Sequence, residues 1–146
     1  MTQPTETLVS LIKQHQPDIS GRIFVRYRSQ LASVGVYPDA AQVAVLRQTI
    51  ESGLAQLADW MRYPRADDHI GLFRKLVDHV VALGLPPEFA ASDMDLVDEV
   101  LTAFIHQEVE SERVVAEIEQ RLRGALDVGR VLIQEHIALY NRERQR

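Results

Sequence analysis

The chain is predicted to be an all-α protein, a bundle of about six helices with a long C-terminal helix. Two observations predict this. Apolar residues recur at spacings of three and four through segments bounded by proline or glycine, and no stretch alternates with the period of two that a strand needs. The 146 residues are enough for one domain with its own core, and a composition with 46% hydrophobic and 25% charged residues is that of an ordinary globular protein.

A first helix is expected from Thr5 to Gln16, with Thr5 capping it, Leu8, Leu11 and Ile12 facing inward, and Pro17 ending it. Asp18 or Ser20 can cap a second, which carries Ile19, Ile23, Phe24, Tyr27 and Leu31 inward and closes at Gly35. Tyr37-Pro38-Asp39 is a turn with its own capping signal. The third helix, Ala40 to Arg62, has a clear apolar face in Val43, Leu46, Ile50, Leu54, Leu57 and Met61. A fourth begins at Asp67 or Asp68 after Tyr63-Pro64-Arg65, buries Ile70, Phe73, Leu76, Val77, Val80 and Leu83, and ends at Gly84 as a left-handed C′ residue.

Pro86 and Pro87 suit the first turn of a fifth helix, unless Ser92 caps a shorter one. Its stripe is Phe89, Met94, Val97, Val100, Leu101, Phe104 and Ile105, and Asp93, Asp95, Asp98 and Glu99 are assigned to the outer side. From Glu110 to Arg146 there is no proline, and Ile118, Leu122, Ala125, Gly129, Leu132, His136 and Leu139 alternate by four and three. This is the a/d rhythm of a coiled-coil seam, so these seven residues are the expected homodimer interface. Gly124 and Gly129 allow a close helix crossing or a point of flexing, at about 1 kcal/mol each relative to alanine.

The chemistry-bearing residues are sparse. With no cysteine, thiolate nucleophiles and cysteine-ligated metal sites are excluded. The formal net charge of −5 disfavours nucleic acid as a partner. The polar start has no apolar signal segment, and the apolar runs are too short to span a bilayer, so a cytoplasmic protein with no membrane association is expected. Phosphate-loop, serine-hydrolase and zinc-protease motifs are absent, and no catalytic residue is assigned.

His79, inside an apolar helix, is the one candidate haem ligand; the alternative is a histidine hydrogen-bonded beside Asp78. His106 with Glu108 and Glu110, and His69 with Asp67 and Asp68, match neither the i, i+4 histidine pair nor the Glu-x-x-His pair that puts two ligands on one helical face, so no metal is expected. His136 on the seam is read as a neutral residue that tunes register rather than as a pH switch.

The run from Leu76 through Gly84 to Phe89, a helix, a glycine and a short junction before another helix, followed by a terminal helix carrying Ile133-Gln134-Glu135-His136-Ile137-Ala138-Leu139-Tyr140, resembles the N-terminal sensor domain of RsbR-type stressosome proteins. The similarity covers nearly the whole chain. It implies a globin-like fold without haem and a homodimer whose terminal helices continue into an output domain, commonly a STAS domain. It further implies a non-enzymatic role in bacterial stress signalling, with STAS-type or kinase proteins downstream. Residues 1–146 would then be a single sensory and dimerisation domain, the N-terminal part of a longer signalling protein. The alternative is a haem-binding globin-type gas sensor.

Overall fold

A computed structural model describes residues 4–62, 64 and 70–145. These form an all-α bundle: α1 (Pro4–Gln14), α2 (Gln16–Ser33), α3 (Ala40–Arg62), α4 (Ile70–Ala82), α5 (Ala91–Glu108) and α6 (Glu112–Arg144), with a single 3₁₀ turn (Pro87–Ala90) before α5. Among the described residues no helix is long and apolar enough to cross a membrane. The predicted start of α4 at Asp67 or Asp68 lies outside the described residues.

Helix ends follow the chain's local chemistry. Asp39 and Gln42 cap α3 reciprocally: the Gln42 N–H donates to Asp39 Oδ1 at 2.8 Å and the Asp39 N–H to Gln42 Oε1 at 2.9 Å. Helices α2 and α4 end alike. Gly35 and Gly84 take φ values of +78° and +84°. Beyond them Val36 N–H reaches the Leu31 carbonyl at 2.9 Å, and Leu85 N–H the Val80 carbonyl at 3.1 Å. The left-handed glycine turns the chain so that otherwise unpaired terminal carbonyls are satisfied.

Three local expectations are corrected. The break between α1 and α2 falls at His15, and Pro17 opens α2 instead of ending α1, because a first-turn proline removes no helical hydrogen bond. Neither Asp18 nor Ser20 caps α2: Asp18 pairs with Arg22 one turn on at 3.3 Å, and Ser20 is buried. Ser92 lies inside α5, where its hydroxyl donates back to the Phe89 carbonyl at 2.7 Å.

The core is continuous, built from the inward stripes of all six helices, with Trp60 set edge-on to Phe73 at 5.0 Å between ring centroids. Helix α6, 33 residues and about 50 Å long, lies across α1, α4 and α5. By contrast, α3 and α4 barely touch, and a chamber opens where they diverge.

Candidate functional site

A chamber of about 80 Å³ lies among α2, α3, α4 and α5. Its walls are almost wholly apolar, with Ile23, Leu46, Ile50, Leu54, Leu57, Leu72, Phe73 and Met94 among them. Besides Thr49 of α3, three titratable side chains reach it from three other helices: Tyr27 from α2, His79 from α4 and Asp93 from α5. Tyr27 is 4% exposed and Asp93 7%. Tyr27 Oη, His79 Nε2 and Asp93 Oδ1 are all buried without a hydrogen-bond partner among the described residues. The Tyr27 and His79 rings lie 6.3 Å apart, and the Tyr27 phenol feels the Asp93 carboxyl.

An unpaired buried polar group costs roughly 1–3 kcal/mol, so three converging on one apolar space are expensive to keep. Burial favours the neutral form of each. It holds the Asp93 carboxyl well above the ordinary carboxylate range. It pushes the Tyr27 phenol up, with the Asp93 charge adding to the effect, and it pulls His79 below its ordinary value. The ensemble is a neutral polar cluster in an apolar wall, the pattern of a small-molecule site.

The chamber also touches the long helix. A Cβ placed on Gly129 of α6 would lie 2.8 Å from Met94 Cε and 3.0 Å from Phe73 Cε1. Both of those side chains line the chamber. Gly129 is therefore a seat that lets α4 and α5 close onto α6. Next to it Arg130 spans the α5–α6 junction, reaching Asp95 at 3.1 Å and Asp98 at 3.2 Å on α5, and Asp127 at 3.1 Å on its own helix.

The seam residues of α6 are distributed differently from a simple dimer stripe. Ile118, Leu122, Ala125, Gly129 and Leu132 are buried in the chain's own core, His136 is half-buried, and Leu139 is 47% exposed. The rhythm of four and three is answered first by α1, α4 and α5 of the same chain. The outward face of α6 carries Gly124, Val131 and Leu139, with Val128 and Ala138 half-buried beside them.

His79 turns away from Asp78, which pairs instead with Arg74 at 4.0 Å. His106 is exposed and pairs with Glu119, while Glu108 and Glu110 are exposed. Among the described residues no group of three potential ligands could hold a metal ion; Asp67, Asp68 and His69 lie outside them. Asp93 is the residue that sequence reasoning misplaced. It faces inward because it precedes Val97 by four and Val100 by seven, in phase with the apolar stripe of α5. That phase is legible in the sequence, and the neighbouring acidic residues masked it.

No family model, no curated protein and no solved structure matches the chain.

Proposed function

We propose that the chain is a non-enzymatic sensory and dimerisation module of the stressosome co-antagonist kind. Occupancy of the chamber shifts the setting of α6, and the paired α6 helices pass that change to a STAS-type or kinase output. One observation supports this above the others: Phe73 and Met94 are at once walls of the chamber and the side chains pressed against Gly129 of α6. Anything that fills the chamber pushes on the residues that seat the long helix. A coupling of about 1–3 kcal/mol between chamber and helix is enough to shift a two-state equilibrium usefully. Pairing through α6 is assigned to its outward face, with Val131 and Leu139 at its centre, because most of the inward stripe is already occupied.

Amide hydrogen exchange on the dimer tests the coupling. Ile50→Phe, which adds bulk at the chamber wall, is expected to change protection in α6 around Gly129 and Leu132 while α1 stays as it is. Unchanged α6 protection would remove the link between chamber and helix. Native mass spectrometry tests the pairing, and a monomer at micromolar concentration would remove that part.

The alternative, a haem-binding gas sensor, rests on His79, whose Nε2 is unpaired beside the chamber. Pockets for drug-sized ligands run to roughly 300–1,000 Å³, so a chamber of about 80 Å³ would have to widen several-fold for a porphyrin. A Soret band after haem addition that is lost in His79→Ala would establish this alternative in place of the first reading.

A further inference from the structure

We propose that the chamber binds a primary amine with a short apolar body, which enters between α3 and α4 past Gly53 and places its ammonium group among Asp93, Tyr27 and His79. The inference rests on the chamber being a ligand site, as above, and adds the chemistry and the route.

The head group follows from the three unpaired atoms. Asp93 Oδ1, Tyr27 Oη and His79 Nε2 can all accept a hydrogen bond, the last when the imidazole carries its proton on Nδ1. A primary ammonium carries three N–H donors and one positive charge. It offers one donor to each of the three acceptors and neutralises the single carboxylate. A carboxylate ligand would instead set a second negative charge against Asp93 in an apolar enclosure, which both desolvation and repulsion oppose. An alcohol donates once and can accept from the Tyr27 hydroxyl, but it brings no charge to set against the Asp93 carboxylate.

The body follows from the walls and the volume. A cavity of about 150 Å³ is enough for benzene. A chamber of about 80 Å³ therefore holds the head and a few carbons only. The remainder points outward. Thr49 and Gly53 on α3, with Leu72 and Leu76 on α4, line both the chamber and an outer recess of about 220 Å³. Gly53 stands at this junction, and a Cβ there would meet nothing within 4 Å. The mouth is open at the residue with no side chain.

Binding is linked to pH through Asp93. The groups facing it are Tyr27 from α2 and His79 from α4; α3 offers Thr49 and apolar side chains, and α6 meets the chamber through Met94 and Phe73. Lys75 lines the outer recess and is exposed to solvent. An ammonium that replaces the proton of Asp93 releases that proton, so affinity rises about tenfold per pH unit until the carboxyl of the free protein ionises on its own.

Isothermal titration of the full chain with n-hexylamine, 1-hexanol and hexanoate, at several pH values and in two buffers of different ionisation heat, tests the proposal. Hexylamine is expected to bind at least tenfold more tightly than either analogue, with proton release and affinity rising with pH. In Asp93→Asn, checked for cooperative unfolding, that preference should vanish while hexanol still binds. Gly53→Leu, which blocks the mouth and leaves the triad untouched, should slow or abolish hexylamine uptake. Equal binding of the three compounds, tighter hexanoate, no binding of hexylamine, or an amine preference that survives Asp93→Asn would each overturn the inference. The coupling of chamber to α6 is read separately by hydrogen exchange in Ile50→Phe, so either conclusion can fail without the other.

Discussion

At the scale of single residues, Asp93 dominates. Its folded carboxyl titrates above the ordinary value because burial penalises the charge. A raised folded pKa gives stability that is fully present below the unfolded pKa and is lost as pH rises through the folded one. The contribution of Asp93 to the urea midpoint should therefore fall as pH is raised from about 4, the unfolded carboxyl value. Asp93→Asn should lose this slope and gain stability relative to the wild type as pH rises. His79 works in the opposite sense. Its folded value is lowered by burial, so its contribution is present above its ordinary value of 6.5 and is lost as pH falls through the folded pKa. Because the two contributions oppose each other, urea titrations of wild type, Asp93→Asn and His79→Gln across pH 4–9 are needed to separate them; a pH profile that neither substitution changes would contradict both assignments.

The two glycines of α6 make a second contrast at this scale. A Cβ on Gly124 meets nothing within 4 Å. Gly124→Ala should accordingly stabilise by about 1 kcal/mol, the helix propensity difference. On Gly129 the same methyl runs into Met94 and Phe73. Overpacking costs about 1–3 kcal/mol, so Gly129→Ala should fall at least about 1 kcal/mol below Gly124→Ala in chemical denaturation. If the two alanine variants match, Gly129 is not a packing seat.

At the scale of the element, neighbouring residues of α6 serve different ends. Leu132 is 4% exposed within the core, and Val131 is 59% exposed on the outward face. Leu132→Ala should cost about 2–5 kcal/mol of folding stability. Val131→Glu should leave the fold of each protomer intact and dissociate the proposed pair, read by analytical ultracentrifugation with circular dichroism alongside. A Val131→Glu dimer of unchanged affinity would move the interface elsewhere. The Arg130 bridge to α5 is partly solvated, with 34% of its side chain exposed. Arg130→Ala should therefore cost only about 0.5–1 kcal/mol, and less in high salt. Its part is to hold register where α5 crosses α6 beside Gly129.

At the scale of the whole molecule, the helical pattern was legible almost throughout. The apolar stripe of α3, the Asp39 cap, and Gly35 and Gly84 all depend on short-range spacing and on backbone conformations that few residues accept, so they can be read along the chain. Pro17 and Ser92 were harder. A proline can end one helix or open the next, and a serine can cap a helix or bond back within its first turn; the tertiary path decides between them. His79 was singled out as the one chemistry-bearing histidine in an apolar helix, and it does reach the chamber. Its companions were not legible as a group, because Tyr27 and Asp93 stand 66 positions and two helices apart in the sequence.

The sequence by itself determined the all-α class, the long terminal helix and most helix ends, because these follow from periodicity, capping chemistry and glycine conformation within a few residues. The tertiary structure alone decided which side of α6 is spent on the core, since an a/d stripe has the same rhythm whether it meets its own chain or a second copy. It also decided that Tyr27, His79 and Asp93 share one apolar chamber next to the seat of α6. That convergence depends on how three distant helices cross, and local spacing does not encode it.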